Sequence, residues 1–311
     1  MRSIVVTGVG SGIGCATAKF LIEKGWRVFG SVRRAEQGAE LAHLFGRSFV
    51  SLVFDVRDEA AVAAAAERVR CALRGETLAG LINNAGTATS GPLLQQSLDE
   101  IRLQLDTNLM GPFIVTKAFA PLLGADPSLS GTPGRVINMS SLCGRIGSPF
   151  ATAYCASKHG LEGFSESLRR ELMVHRIPVI IVAPGLTKTP FWTKIADRTL
   201  ARVDATPFGP PFRKGMSILT KTARKHGMEP RRVAEAVWHA LTVDKPRFRY
   251  APTQHPILER GLTQALPRWF IDRLIDRRVR LSPRTAADVG RALPAGEAAQ
   301  ALDVPAYRAG G

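Results

Sequence analysis

Residues 3–14 read Ser-Ile-Val-Val-Thr-Gly-Val-Gly-Ser-Gly-Ile-Gly, and this stretch decides the fold. Ser3–Val6 is a β-branched run typical of a buried strand, and Ile13–Lys24 carries apolar residues at helical spacing. Glycines between a strand and a helix let the backbone approach a pyrophosphate, which then binds the amides at the helix N-terminus. The stretch therefore predicts a strand–turn–helix unit that binds a dinucleotide. An ordinary glycine-rich turn is the alternative.

Strand and helix patterns continue to alternate along the first 185 residues. Further strands are predicted at Arg27–Val32, Ser48–Phe54, Leu78–Ile82, Arg135–Met139 and Val179–Val182. Further helices are predicted at Glu59–Arg74, Leu98–Leu123 and Ala151–His175. This order predicts an α/β fold of the Rossmann type, a doubly wound parallel sheet with helices on both faces. Such sheets bind ligands at the carboxyl ends of their strands.

Two arginines directly follow the second predicted strand. At this position, a protein that binds NAD has an acidic residue that contacts the ribose hydroxyls. The sequence there is Gly30-Ser31-Val32-Arg33-Arg34, and the first acid is Glu36. A guanidinium forms a strong, bidentate pair with a phosphate. Arg33 and Arg34 therefore predict NADP(H) as the cofactor, and the alternative is that both are exposed loop charges.

Tyr154 and Lys158 are a candidate catalytic pair, because residues four apart in a helix share one face. Free tyrosine has a pKa of about 10 and is a poor base at neutral pH. A nearby ammonium is expected to lower that pKa, so that Tyr154 can exchange a proton with a carbonyl or alcohol while a hydride moves to or from nicotinamide. A surface pair is the alternative. Ser141, thirteen residues before Tyr154, and the glycine turn favour catalysis.

Taken together, these motifs resemble the short-chain dehydrogenase/reductase family over residues 1–250. The matching segments are TGVGSGIG, Asp55-Val56, Asn83-Asn84-Ala85-Gly86, Asn108 in NLMG, Ser141, Tyr154-Cys155-Ala156-Ser157-Lys158 and Pro184-Gly185-Leu186-Thr187-Lys188-Thr189. The segments AYCASKHGLEGFSESLRREL and LTVDKPRFRY, and the C-terminal extension, are most similar to the branch of retinol and hydroxysteroid dehydrogenases and their bacterial relatives.

The resemblance implies four catalytic residues. Ser141 would bind the substrate oxygen, Tyr154 would transfer the proton, and Lys158 would also bind the nicotinamide ribose. Asn108 would hold a backbone carbonyl and a water that connect Lys158 to solvent, although a kink beside Gly111-Pro112 is an alternative reason for this asparagine.

The cofactor contacts that the resemblance implies, beside Tyr154 and Lys158, come from several loops. They are Gly8, Ser11, Gly12, Ile13, Gly14, Arg33, Arg34, Asp55, Val56, Asn84, Pro184, Gly185, Thr187 and Thr189. Asp55 could equally cap a loop. Thr187 stands where the family often has Val or Ile, a departure that a backbone contact would survive.

The domain organisation follows from the same patterns. Residues 1–250 are predicted to form one NADP-binding and catalytic domain, in which the proline-rich and basic segment 186–230 is a substrate-binding loop or lid. Phe191 and Trp192 would line a hydrophobic pocket there or anchor the lid. Residues 251–285 predict an amphipathic helical extension, and the Ala/Gly/Pro-rich residues 286–311 a flexible tail.

Net charge is +16, and residues 186–284 hold 21 basic and 8 acidic residues, or +13 of that total. Without a nucleic-acid-binding motif, this pattern favours a solvated basic face, so no nucleic acid partner is expected. An anionic membrane is a further candidate partner, because the extension combines aromatic with basic side chains. These are Arg268, Trp269, Phe270, Arg273, Arg277 and Arg278.

Apolar residues make up 45% of the chain and charged residues 22%, which excludes a disordered chain, a collagen-like chain and a disulfide-rich miniprotein. No apolar run approaches the ~18 residues of a membrane span, and the first residues, MRSIVVTG, do not resemble a signal peptide. The four cysteines lack metal-binding spacing, as do the six histidines, so no metal is expected. Reduced thiols predict a cytoplasmic location.

The sequence therefore predicts an oxidoreductase that transfers a hydride between NADP(H) and the carbonyl or hydroxyl group of a small hydrophobic substrate. A sterol, a retinoid or a long-chain carbonyl fits the family branch. Family members usually pair through two helices, one of them carrying the tyrosine, which implies a homodimer or homotetramer. The alternative function is a non-enzymatic NADP(H)-sensing or scaffold protein that binds an anionic partner through the basic C-terminal third. Complete Ser141, Tyr154 and Lys158 favour the enzyme.

Overall fold

One parallel sheet organises the computed structural model, which describes residues 1–189, 202–204, 206–254 and 266–282. Its seven strands lie in the order β3-β2-β1-β4-β5-β6-β7. They are β1 Ser3–Val6, β2 Arg27–Val32, β3 Phe49–Val53, β4 Gly80–Asn83, β5 Arg135–Met139, β6 Val179–Val182 and β7 Arg249–Tyr250. All six neighbouring pairs are parallel, so the carboxyl ends of the strands meet at one edge.

Helices cover both faces of the sheet, which confirms the predicted doubly wound α/β fold. They are α1 Gly12–Glu23, α2 Ala35–Phe45, α3 Glu59–Leu73, α4 Leu98–Leu105, α5 Gly111–Phe119, α6 Thr152–Glu171, α7 Gly209–His226, α8 Pro230–Thr242 and α9 Arg268–Val279. A π-helical turn, Asp106–Met110, joins α4 to α5. The long helix predicted over Leu98–Leu123 is therefore interrupted by this turn.

The side chains of strand β1 alternate between two hydrophobic clusters, one on each face of the sheet. Ile4 and Val6 join a buried cluster with residues of α1, α2 and α8, whereas Val5 joins a cluster with residues of α3 and α5. Successive side chains of a strand point to opposite faces, so one apolar strand serves both layers. These two layers hold the strand ends, and hence the loops that follow them, in place.

Three elements differ from the sequence expectations. Helix α2 was not predicted, and the two-residue strand β7 is too short to show periodicity. Segment 186–230, expected to be a loop, contains the 18-residue helix α7. The prolines that indicated irregular structure include Pro210 and Pro211, which lie in the first turn of α7, where the amide that proline lacks needs no partner.

The predicted C-terminal helical extension is represented by α9, which begins directly after Pro267. Val279 on α9 approaches α7, since its Cγ1 lies 3.5 Å from the position of a Cβ built at Gly215. The predicted tail 286–311, together with Phe191 and Trp192, lies outside the described residues. Within the described ranges, no helix combines the length and apolarity needed to cross a membrane.

Candidate active site

The glycine turn after β1 is shaped by backbone geometry that only glycine accepts without strain. Gly8 and Gly12 have φ angles of 71° and 59°, in the left-handed region. A Cβ at Gly8 would lie 2.8 Å from the Cα of Ala85, and one at Gly14 would collide with the carbonyl of Gly8. The turn thus brings bare backbone to the N-terminus of α1, as a phosphate-binding turn requires. Ser11 is the N-cap residue there, its side chain makes no capping hydrogen bond, and Ile13 packs against the core.

Asn84 ties the end of β4 to this turn. Its side-chain amide donates to the carbonyls of Thr7, at 2.9 Å, and Gly8, at 3.1 Å. The hydroxyl of Thr7 in turn accepts hydrogen bonds from the backbone N–H groups of Asn84 and Ala85, both at 2.9 Å. Thr7 was missed by sequence reasoning. The cofactor contact predicted for Asn84 stays a prediction, and its visible role is to fix the turn.

Charged residues collect after β2 and β3, at the end of the sheet where the adenosine of a dinucleotide is expected. Arg33 and Arg34 are exposed. Asp55 accepts two hydrogen bonds from the guanidinium of Arg57, at 3.0 and 2.9 Å, and these hold the pKa of Asp55 below its usual value, with Arg33 contributing. Arg57, another residue that sequence reasoning missed, adds a cation to this corner. Val56 beside it is buried.

The loop after β6 returns to the glycine turn. Gly185, which follows the buried Pro184, donates its N–H to the carbonyl of Pro252 at 3.0 Å. Thr187 is buried, and its hydroxyl donates to the carbonyl of Gly185 at 3.0 Å. The Cγ2 atom of Thr189 lies 3.4 Å from the position of a Cβ at Gly12. The structure therefore brings the loop after β6 against the glycine turn, with Thr189 beside Gly12.

Asn108 lies in the π-helical turn and connects two segments of the site. Its amide donates to the carbonyl of Thr87 at 2.8 Å and to the hydroxyl of Ser157 at 3.2 Å, while its carbonyl oxygen accepts from the N–H of Thr87 at 2.8 Å. Ser157 donates to the backbone carbonyl of Tyr154 at 2.7 Å. The buried Asn108 thus fixes the loop after β4 against the helix that carries the candidate catalytic pair.

Ser141, Tyr154 and Lys158 come together at the carboxyl end of β5. Ser141 accepts the N–H of Cys143 at 3.2 Å and makes a side-chain hydrogen bond with Tyr154. Lys158 is buried, and its Nζ donates to the carbonyl of Met139 at 2.8 Å and lies 5.9 Å from the centre of the Tyr154 ring. The structure thus brings together the three residues that the sequence predicts for one site, and their catalytic roles stay predictions.

Protonation of this group differs from the sequence expectation. Burial raises the pKa of the Tyr154 phenol, whereas a lowered value was expected. Burial also lowers the pKa of the Lys158 ammonium, to about 8. Desolvation is the largest influence on the pKa of Tyr154, and the ammonium of Lys158, which donates to the Met139 carbonyl, does not offset it. At neutral pH the site therefore holds a neutral phenol, able to donate a proton, beside a mostly charged ammonium.

Glu162, one turn beyond Lys158 on α6, anchors the loop that carries Ser141. Its carboxylate accepts hydrogen bonds from Ser140 Oγ at 2.9 Å, Arg145 Nε at 3.1 Å and Arg249 Nη2 at 3.0 Å. Gly144 completes this cluster, because a Cβ there would lie 2.5 Å from Ser140 Oγ. Sequence reasoning missed Glu162. Its only local sign is that it is an acidic residue with uncharged neighbours on both sides, shortly after Lys158 and His159.

An apolar cluster lies between α7 and the segment before Tyr154. Its buried members are Val203, Phe212 and Met216, and Ala88, Phe150, Phe208 and Leu219 pack against them. Phe150 has a φ angle of 65°, which is strained for a large side chain, and its carbonyl accepts a hydrogen bond from the hydroxyl of Ser90 at 2.8 Å. The backbone is thus held in a costly conformation four residues before Tyr154.

Comparisons with known proteins show which family the chain resembles. A family model described as short chain dehydrogenase matches residues 2–199. An NADPH-dependent 3-dehydrocapnine reductase from Ornithobacterium rhinotracheale is 33% identical over 277 residues, covering 89% of this chain and 95% of the relative. Retinol dehydrogenase 5 from Homo sapiens is 34% identical over 263 residues, or 80% of each chain.

Solved structures show the same fold. A short-chain dehydrogenase/reductase from Burkholderia phymatum in complex with NAD has a TM-score of 0.72 at 23% identity, covering 91% of this chain and 98% of that one. The closed form of a serine dehydrogenase complexed with NADP⁺ has a TM-score of 0.68 at 25% identity, covering 81% and 94%. With the sheet, the glycine turn and the Ser141–Tyr154–Lys158 group, these matches identify the chain as an oxidoreductase of the short-chain dehydrogenase family, in the branch of the retinol dehydrogenases, which binds a nicotinamide cofactor.

Proposed function

We propose that this protein is an NADP(H)-dependent reductase or dehydrogenase that acts on the carbonyl or hydroxyl group of a hydrophobic substrate, such as a sterol, a retinoid or a long-chain carbonyl. The carrying observation is the Ser141–Tyr154–Lys158 group at the carboxyl end of β5, in which Lys158 is buried, on the sheet whose strand β1 leads into the glycine turn. A sensing or scaffold protein has no need of this group. The relatives reported above are named as a reductase and a dehydrogenase, which gives that alternative no support.

The chain's own residues supply the proton chemistry. A bound nicotinamide cofactor would supply or accept the hydride. Tyr154 would donate its phenolic proton to the carbonyl oxygen, and the hydroxyl of Ser141 would hold that oxygen in place. The ammonium of Lys158 would stabilise the phenolate that Tyr154 leaves behind. The raised pKa favours the protonated phenol, which is the form of Tyr154 that donates a proton in carbonyl reduction.

Preference for NADP(H) is supported by the charges at the end of β2. The glycine turn can pack against Ala85 and Asn84 because Gly8 and Gly14 lack a Cβ, and such an exposed backbone before a helix N-terminus fits a dinucleotide. Arg33 and Arg34 are exposed at the strand end where a 2′-phosphate is expected. The reductase from Ornithobacterium rhinotracheale is named as NADPH-dependent, which supports the same choice.

Hydrophobic substrates are supported by the apolar cluster of α7 with Phe150. Ligand pockets are mostly lined by apolar and aromatic side chains, with a few polar groups that orient the ligand. The cluster lies next to the segment that leads into Tyr154, so an apolar body placed against it would carry its carbonyl towards the phenol. The helix α7 is then the proposed lid.

A cofactor titration tests the proposal. We expect nicotinamide fluorescence to show tighter binding of NADPH than of NADH at moderate salt. An Arg33→Ala/Arg34→Ala double variant should weaken NADPH binding by about tenfold to a hundredfold, because a charge-assisted hydrogen bond contributes about 1.5–3 kcal/mol. NADH binding should be unchanged.

Arg47→Ala is the matched control, since this exposed arginine lies outside the predicted cofactor site and should leave NADPH binding unchanged. Equal binding of NADPH and NADH would contradict the role of Arg33 and Arg34. Failure of the protein to bind either nucleotide would contradict the proposed function itself.

Oligomer and location stay predictions. Exposed apolar side chains are the surface that a homodimer or homotetramer would cover, and they lie on or near α4 and α5: Leu98, Leu103, Met110 and Phe113. The ring of Phe113 contacts that of Phe164 on α6, with centroids 4.0 Å apart. The cytoplasmic location rests on the four cysteines, which are all free thiols.

A further inference from the structure

Two cysteines that the proposed chemistry does not use lie beside the phenol of Tyr154. Cys143 is in the short helix Leu142–Gly144 that follows Ser141, and Cys155 is in the first turn of α6. Their thiols are hydrogen-bonded to each other, and both act electrostatically on Tyr154. The two sulfurs therefore bridge the loop that holds Ser141 and the helix that holds Tyr154.

The surroundings of Cys155 favour its thiolate. The N–H of Ser148 donates to its Sγ at 3.4 Å, and the Cys143 thiol donates a second hydrogen bond. The amides at the N-terminus of α6 add a partial positive charge. The hydrogen bond from Cys143, then that from Ser148 and the electrostatic effect of His159, lower the pKa of the Cys155 thiol against the effect of burial, whereas Cys143 has its pKa raised. A thiolate held against a thiol is the arrangement from which a disulfide forms.

We propose that Cys143 and Cys155 are an oxidisable pair, which a hydroperoxide converts to a disulfide that joins the Ser141 loop to α6. The thiolate of Cys155 attacks one oxygen of hydrogen peroxide, the O–O bond breaks, and hydroxide leaves as Cys155 becomes a sulfenic acid. The thiol of Cys143 then attacks that sulfur, the S–S bond forms, the S–O bond breaks and water leaves. In total, two thiols lose two electrons and two protons, and the peroxide becomes two waters.

The disulfide changes the site because its bonds are short and directional. A sulfur–sulfur bond draws the two Cβ atoms to about 3.5–4.5 Å, closer than two hydrogen-bonded thiols require. Cys143 donates its N–H to Ser141 Oγ, so movement of Cys143 displaces the group that orients the substrate oxygen. Oxidation therefore lowers turnover, and reduction by a dithiol restores it. The pair itself does not depend on which substrate the enzyme uses.

Thiol counting on the full chain tests this pair. The reduced protein has four free thiols. Treatment with hydrogen peroxide at a slight excess should leave two under denaturing conditions, and dithiothreitol should restore four. Peptide mapping without reduction should join the peptides of Cys143 and Cys155, two hydrogen atoms lighter than the separate peptides. These readouts need no substrate, so failure of this proposal can be distinguished from failure of the proposed enzymatic function.

Matched variants separate the pair from other thiols. Cys143→Ser should form no disulfide and should carry Cys155 on to sulfinic acid, which dithiothreitol does not reverse. Cys71→Ser removes an exposed thiol on α3 and should leave the disulfide unchanged. Four thiols persisting in the wild-type protein, oxidation confined to Cys15 or Cys71, or sulfinic acid at Cys155 of the wild type without a disulfide would each overturn the proposal.

Discussion

At the scale of the residue, burial shifts the pKa values of both Tyr154 and Lys158. The ammonium of Lys158 bonds to the carbonyl of Met139, and Lys158 is buried, whereas Tyr154 is partly exposed. Desolvation disfavours the charged form of each, so the pKa of Tyr154 rises and that of Lys158 falls to about 8. Near neutral pH, Tyr154 is thus a proton donor, and Lys158 is the group that loses its positive charge as the pH rises above its pKa.

This order of protonation predicts the pH dependence of carbonyl reduction. Below pH 8, Lys158 is charged and Tyr154 protonated, so kcat should be constant. Above pH 8, Lys158 loses the charge that stabilises the developing phenolate, and kcat should fall by up to about tenfold per pH unit. The measurement is kcat for reduction of a carbonyl substrate at saturating NADPH across this range.

Two variants test whether Lys158 causes the decline in kcat above pH 8. Lys158→Arg keeps its charge above pH 8, so its lower residual rate should lack the decline. Tyr154→Phe should lose turnover at every pH by about a hundredfold to ten-thousandfold, as expected for removal of a general acid. A decline near pH 8 that persists in Lys158→Arg would assign it to another group.

At the scale of the element, the loop after β5 is held by a carboxylate on α6 and a guanidinium on β7. Glu162 and Arg249 are each only 13% exposed, and Arg145 adds a second cation. A buried pair is weak support for overall stability, but removal of one partner leaves an uncompensated charge. The strand β7 is only two residues long, and its Arg249 side chain holds the carboxylate of Glu162 in addition to the backbone pairing of the strand.

Glu162→Gln should therefore lower the free energy of unfolding by about 2–3 kcal/mol, because Arg249 loses its buried counter-ion. Urea denaturation measures the change. Glu166→Gln is the control on the same helix, because its salt bridge joins side chains that are 60% and 52% exposed, and the expected change is below about 0.5 kcal/mol. Equal shifts in the two variants would show that Glu162 contributes no more than a surface pair.

Elements also show why sequence reasoning reached some features and not others. Strand β1, the glycine turn and the Tyr154–Lys158 pair depend on local spacing, which the sequence displays directly. Contacts such as Asn84 with Thr7, or Glu162 with Arg249, join positions 77 and 87 residues apart, and nothing in either local pattern indicates the partner. Helix α7 was obscured because proline weakens a helix interior but is accepted in a first turn. The pKa of Tyr154 depends on burial, which only the folded chain defines.

At the scale of the whole molecule, the basic excess of residues 186–284 includes one side of α9. Residues three or four apart line one side of a helix, so Trp269, Arg273 and Arg277 lie together, and Asp272 and Asp276 share that side. We call these, with Leu274, the α9 outer face. Trp269 is 66% exposed and Leu274 is 40% exposed, while Val279 approaches α7. Exposed apolar and basic side chains on one helix are typical of an element that lies in the interface of an anionic membrane.

The α9 outer face predicts that the protein co-sediments with phosphatidylcholine vesicles that contain phosphatidylglycerol, and not with phosphatidylcholine alone. Binding should weaken as salt rises, because arginines contribute through charge. Trp269→Ala/Leu274→Ala should reduce the bound fraction at limiting lipid by about tenfold, since burial of a large apolar side chain contributes about 1.5–3 kcal/mol. Met173→Ala/Val174→Ala is the matched control, because these side chains are 63% and 78% exposed on another element. Equal loss in both double variants, or salt-independent binding to neutral vesicles, would assign the lipid contact to general surface apolarity, and the basic third would then be a solvated face.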